Sequence, residues 1–273
     1  MKIACVQLNV RVAAPERNYS RAETLIRKAA KRKPDVILLP EVWNTGFAPG
    51  SIDPALADTD GRRTRALCGG LAAELGVNIA AGSVLTRRGD ALYNTAYIFD
   101  RAGGCIAAYD KTHLFSPMRE GAACKAGNAL VTFPLDGVAC GVLICYDLRF
   151  PELSRALALG GARVLLIPAQ WPKHRTEQMQ TLLCARAIEN QLYAALCNGC
   201  GSAPGVRYGG KSAVIGPRGR VLALARRGET ICYAQLDLAA QDKAHGEIPV
   251  FTDRRPELYG AVGAPAAGKP VTD

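Results

Sequence analysis

The chain has 273 residues, 49% of them hydrophobic, which is ample for a large core and ordinary for one α/β domain of about 250 residues. Lysine and arginine (34) outnumber aspartate and glutamate (24) for a net charge of +10, but the cations are scattered and aromatics are only 6%, so a nucleic-acid surface is not expected. No apolar run approaches the roughly 20 residues of a membrane span, no signal peptide is read at the N-terminus, and the ten cysteines are expected as reduced thiols of a cytoplasmic protein.

In chain order the pattern is strand, helix, strand, repeated. Residues 2–8 form a first strand. Residues 18–31 carry Ala22, Leu25, Ile26 and Ala29 at helical spacing. That helix ends in Arg27-Lys28-Ala29-Ala30-Lys31-Arg32-Lys33, where cations suit the macrodipole. Residues 35–39 are a second strand, and 62–75 a second helix closed by Gly76. A strand is expected over 77–84. A hairpin follows, its arms 91–99 and 105–109 joined by Asp100-Arg101-Ala102-Gly103-Gly104. Residues 130–134 and 138–144 flank another turn. A short helix over 151–159, a continuous apolar strand over 164–167, a longer helix over 175–189 and a strand over 192–198 come next. The hairpin 212–215 and 221–225 turns on Gly216-Pro217-Arg218-Gly219, and 230–237 is the last core strand. Strands alternating with helices, plus hairpins, imply a mixed sheet system with helices outside; the periodicity leaves open whether there is one sheet or two. Residues 1–260 read as one domain and 261–273, small and Pro-rich, as a C-terminal tail.

Three reactive side chains each follow an apolar strand. Glu41 follows Val36-Ile37-Leu38-Leu39-Pro40, Lys111 follows Ile106-Ala107-Ala108-Tyr109-Asp110, and Cys145 follows Val138 to Ile144. A thiol needs a base or a cation to become a nucleophile. Of the three histidines, His113, His174 and His245, none sits in a recognisable Cys–His pattern. Glu41 can take the thiol proton, and Lys111 can stabilise the thiolate and the oxyanion formed when a carbonyl is attacked. The set points to a cysteine hydrolase.

Leu38-Leu39-Pro40-Glu41, Tyr109-Asp110-Lys111-Thr112-His113-Leu114-Phe115 and Ile144-Cys145-Tyr146-Asp147-Leu148-Arg149-Phe150-Pro151-Glu152 resemble, in order, the three signatures of the nitrilase superfamily of carbon–nitrogen hydrolases. Ala81-Gly82-Ser83, Tyr93-Asn94-Thr95-Ala96 and Ala185-Arg186-Ala187-Ile188-Glu189-Asn190 are similar too, so the resemblance covers about residues 1–260. It implies a four-layer αββα sandwich, a Glu41–Lys111–Cys145 triad, no cofactor or metal, and pairing into a homodimer or higher homo-oligomer. It also implies a second glutamate, Glu120, positioning Lys111 or the substrate, and the backbone N–H of Tyr146 as an oxyanion donor. Within the superfamily the chain resembles omega-amidases, through Cys145 to Phe150, Gln170-Trp171-Pro172 and Ile248-Pro249-Val250-Phe251. The implied substrate is a small carboxylated amide, with Arg149 pairing its carboxylate and Trp171 walling the pocket. Gly121-Ala122-Ala123-Cys124 and Gln178-Met179 depart from that subfamily, where a His with an aromatic and a His-Trp pair are expected. N-carbamoyl amino acid hydrolysis and general aliphatic amidase activity are the alternatives.

Two other motifs are declined. Gly205 to Ser212 fits the letters of a P-loop, but a strand and turn follow it where a helix must stand for amides to converge on phosphate. Cys197-Asn198-Gly199-Cys200 has CxxC spacing without a second pair nearby. His113 is expected to orient a loop, Glu152 to order the segment after Cys145, and Glu189 and Asn190 to hold the fold or a dimer.

Overall fold

The structure is a computed structural model, and it describes residues 1–48, 50 and 52–260. The expected C-terminal tail, 261–273, lies outside the described residues. The chain begins with β1 (Lys2–Gln7), α1 (Pro15–Ala30) and β2 (Val36–Leu38). Helix α1 starts earlier than its apolar spacing predicts, because Pro15 occupies the first turn, where its missing N–H costs nothing. After the short β3 (Asp58–Thr59), α2 (Arg62–Thr64) runs through a π-helical stretch, Arg65–Gly69, into α3 (Gly70–Leu75). The hairpin region is β4 (Asn78–Arg88), β5 (Ala91–Phe99) and β6 (Cys105–Asp110). The second half carries β7 (Thr132–Leu135), β8 (Val138–Val142), α4 (Pro151–Leu159), β9 (Val164–Ala169), α5 (Thr176–Glu189) and β10 (Tyr193–Asn198). It closes with β11 (Cys200–Ala203), β12 (Val206–Gly209), β13 (Ala213–Ile215), β14 (Val221–Leu224), β15 (Thr230–Gln235) and α6 (Leu238–Glu247). Sequence reading missed the β11–β12 hairpin and α6; neither carries a clear apolar period.

Two sheets form. One has the order β15-β1-β2-β4-β5-β6, with β3 beside β4; the other has the order β14-β13-β10-β9-β8-β7. Each is built on three parallel strands, β1-β2-β4 and β8-β9-β10, flanked by antiparallel ones. Successive side chains of a strand point to opposite faces, and the burial follows that alternation. Ile3 and Cys5 join Val36, Leu38, Val164 and Leu166 in a layer between the sheets. Ala4 and Val6 pack instead with Leu25 and Ile26 of α1. Leu165 and Ile167 pack with Met179 and Leu183 of α5. Three apolar layers separate four layers of structure, the αββα sandwich. Strands buried on both faces read as continuous apolar runs, which is why periodicity alone left the number of sheets open.

Candidate active site

The three candidate reactive residues leave the sheets at loops that converge. Glu41 follows β2 through Leu39 and Pro40, Lys111 directly follows β6, and Cys145 follows β8 through Leu143 and Ile144. The turn at Glu41 is tightly specified. Gly82, at φ +62°, sits so close behind it that an added Cβ would lie 2.1 Å from the Pro40 carbonyl oxygen. Ser83 accepts a hydrogen bond from the Val42 N–H at 3.0 Å, and Val42, a β-branched residue, is held at φ +38°. Cys145 is likewise at φ +48°. Such left-handed backbone at non-glycine residues persists only where surrounding structure over-determines it, and it clusters at functional sites.

Glu41, Lys111 and Glu120 have 0%, 0% and 1% of their surface exposed. Lys111 Nζ donates to Glu41 Oε1 at 2.8 Å and to Glu120 Oε2 at 2.8 Å. Asn94 Nδ2, on β5, donates to both carboxylates, at 3.0 Å to Glu41 and 2.9 Å to Glu120. The second oxygen of Glu41 accepts from the Gln170 N–H at 3.0 Å, and the Phe115 N–H donates to Glu120 at 2.7 Å. Burial disfavours the Lys111 ammonium, but the two carboxylates outweigh it and hold its pKa well above the usual lysine range. Cys145 is half-buried, the one member of the Glu41–Lys111–Cys145 set with accessible surface. Burial and then the Glu41 carboxylate push its thiol pKa well up, with Lys111 pulling the other way. The resting Cys145 is a neutral thiol that faces both Glu41 and Lys111.

A second network ties two of the loops together. Asp147, fully buried, accepts from Tyr109 Oη at 2.7 Å, Thr112 Oγ1 at 3.1 Å, the His113 N–H at 3.0 Å and the Ile144 N–H at 2.9 Å. His113 Nδ1 lies 2.9 Å from Asp147 Oδ1, and its ring stacks on Phe150 at 3.6 Å. The loop-orienting bond expected of His113 is therefore present, with Asp147 as its partner. Farther along, Arg186 Nε holds the Leu148 carbonyl at 3.1 Å, and Glu189 accepts from Arg186 Nη1 at 3.1 Å.

Cys145 lines a pocket walled also by Phe47, Phe115, Tyr146, Trp171, Arg149 and Arg175 among others. Arg149 and Trp171 both line it. Arg149 has no carboxylate partner among the described residues; its guanidinium donates to Gln178 Oε1 at 2.8 Å and lies 4.7 Å from the Trp171 ring centroid. Glu152 lines neighbouring cavities instead. The declined motifs stay outside the site. Gly205 to Ser212 runs along β12 toward β13 with no helix after it, and Cys197 and Cys200 are buried at the junction of β10 and β11.

Sequence reasoning missed the hydrogen-bonding roles of Asn94 and Asp147 and the place of Arg175 in the pocket wall. Asn94 had a readable signal, a polar residue on the same strand face as Leu92 and Ala96, which are both buried. Arg175 sits in Lys173-His174-Arg175, where nothing local separates a pocket cation from solvated ones.

The family model described as "Carbon-nitrogen hydrolase" matches residues 2–245. The 2-oxoglutaramate amidase of Bacillus subtilis is 44% identical over 257 residues, covering 94% of this chain and 98% of the relative. A hydrolase in the agr operon of Staphylococcus lugdunensis is 41% identical, covering 82% of this chain and 97% of that one. The crystal structure of a CN-hydrolase superfamily protein from Xanthomonas campestris, with an arsenic adduct in its active site, superposes with a TM-score of 0.87 at 29% identity, covering 93% and 97% of the two chains.

Proposed function

The chain belongs to the carbon–nitrogen hydrolase family, and from that premise we propose that it hydrolyses the terminal amide of a small carboxylated acid, releasing ammonia, with Cys145, Lys111 and Glu41 as the reacting set. The protein is a hydrolase of non-peptide carbon–nitrogen bonds. The observation that carries the residue roles is the buried Glu41–Lys111–Glu120 cluster beside a half-buried thiol. The 2-oxoglutaramate amidase at 44% identity supports the substrate class.

In this mechanism Glu41 takes the Cys145 proton as sulfur attacks the amide carbon, so the neutral thiol is ionised only when the electrophile is in place. Lys111 and the Tyr146 backbone N–H hold the oxyanion. Collapse breaks the C–N bond, and Glu41 gives its proton to the departing nitrogen, leaving a thioester. Water then attacks, Glu41 takes its proton, and the thiolate leaves and is reprotonated. Glu120 holds Lys111, and Arg149 pairs the substrate carboxylate against the Trp171 wall.

Ammonia release across ω-amides, carbamoyl amino acids and aliphatic amides tests the substrate class, and a preference for carbamoyl amino acids would overturn it. Replacing the nucleophile, Cys145→Ala, is expected to abolish turnover with an unchanged unfolding midpoint; normal turnover would remove Cys145 from the mechanism.

Pairing into a homodimer is part of the same reading. It is supported by exposed Leu159, Ile188, Leu258 and Tyr259, at 49%, 48%, 63% and 41%, apolar surface that favours an interface. Sedimentation velocity decides it. All ten cysteines are unpaired, which suits a reducing, cytoplasmic location. No helix among the described residues is long and apolar enough to cross a membrane.

A further inference from the structure

We infer that Arg175 is a second substrate-binding cation, and that with Arg149 it makes the pocket select amides whose far end is an anion and reject those bearing a cationic ammonium there. The inference rests on the carboxylated-amide reading above.

Two guanidinium groups line the one pocket that also contains the Cys145 thiol. Among its ten lining residues there is no aspartate or glutamate. Arg149 donates only to the neutral Gln178. The Arg175 guanidinium has no hydrogen bond or ion pair among the described residues and lies 5.7 Å from the Phe115 ring centroid. An aromatic face steadies a guanidinium without cancelling its charge. The contrast with Lys111 is direct: that ammonium is matched by two carboxylates, whereas these two cations face the cavity unmatched. A third unmatched donor is close by, since Trp171 is 97% buried and its Nε1–H has no partner.

One bidentate guanidinium satisfies a carboxylate. A second cation accommodates further acceptor oxygen next to that carboxylate, as in a 2-oxo acid. The same two charges repel an α-ammonium group, and that repulsion makes the pocket a filter as well as a grip. Arg175 comes from the segment leading into α5 and Arg149 from the turn after Cys145, so the two approach from different elements and fix the distance between the anion and the reacting carbon.

The test compares glutaramate, L-glutamine and butyramide on the wild type and on Arg175→Gln, Arg175→Lys and Arg149→Gln. For Arg175→Gln, KM for glutaramate is expected to rise roughly ten-fold or more. Butyramide kinetics and the unfolding midpoint stay unchanged, and L-glutamine gains relative to glutaramate. Arg175→Lys restores part of the glutaramate KM, because it keeps the charge and loses the fork. A glutaramate KM within two-fold of wild type in Arg175→Gln, or an equal loss on butyramide, would overturn the role of Arg175. If the wild type itself handled glutaramate no better than butyramide, the carboxylated-substrate reading would fall, independently of any variant.

Discussion

Lys111 keeps its charge in a fully buried site only because two carboxylates and one amide are arranged around it. The desolvation that should strip its proton is outweighed by Glu41 and Glu120, each 2.8 Å away. Glu120 is therefore expected to act through Lys111. In Glu120→Gln one of the two anions is gone, the Lys111 pKa falls, and the ammonium is lost at lower pH than in the wild type. The expected outcome is a kcat reduced about ten-fold or more and an alkaline limb of the pH–kcat profile displaced toward neutrality. Profiles recorded between pH 6 and 11 on one substrate check this, and superimposable limbs would mean that Glu120 does not hold the charge. At this scale the sequence was informative where a polar side chain stood at the end of an apolar strand, as with Glu41, Lys111 and Cys145, which the fold brings to converging loops. For Asn94 it offered only a polar residue on an apolar strand face; the partners that give it a role lie 53 and 26 residues away.

Between elements, the loops after β6 and β8 are held together by Asp147. It gathers donors from Tyr109, Thr112, His113 and Ile144, so the Lys111 segment and the Cys145 segment share one buried acceptor. Asp147→Asn removes the charge and turns an N–H₂ toward some of these donors. Leaving buried donors unsatisfied costs about 1–3 kcal/mol. Urea unfolding is expected to register that loss, and kcat is expected to fall together with it because both loops loosen. Unchanged stability with lowered kcat would instead assign Asp147 to chemistry. The element boundaries themselves were largely legible, since apolar runs and turn residues mark them. The exceptions have physical reasons: α1 begins at Pro15 rather than at the first apolar repeat, and α6 has almost no amphipathic face, so its place is set by contacts such as Gln241 with Arg163 and Gln191.

For the whole molecule, the fold buries six of its ten thiols. Burial lifts Cys124, Cys140 and Cys200 to about 12, and Cys68, Cys145 and Cys197 also rise through burial. Each has a folded-state pKa above its unfolded one. The stabilisation is then full below the unfolded thiol pKa, near about 8.5, and declines as pH rises from there toward the folded values. The unfolded chain sheds protons first, so stability falls by up to about 1.4 kcal/mol per pH unit for each such thiol. Urea midpoints measured from pH 7 to 11 are expected to drop progressively above pH 8.5, and a flat series would contradict the burial of these thiols.

The sequence by itself determined the alternation of strands and helices and the family the chain resembles, and it singled out Glu41, Lys111 and Cys145 as candidates, because those are written in local runs and short motifs. Only the tertiary structure decided that two sheets stack face to face, that Asn94 and Asp147 are the hubs of the site, and that Arg175 stands unmatched in the same pocket as Cys145. Each of those facts is a distance between residues far apart in the chain, and such distances are fixed by how the apolar layers close.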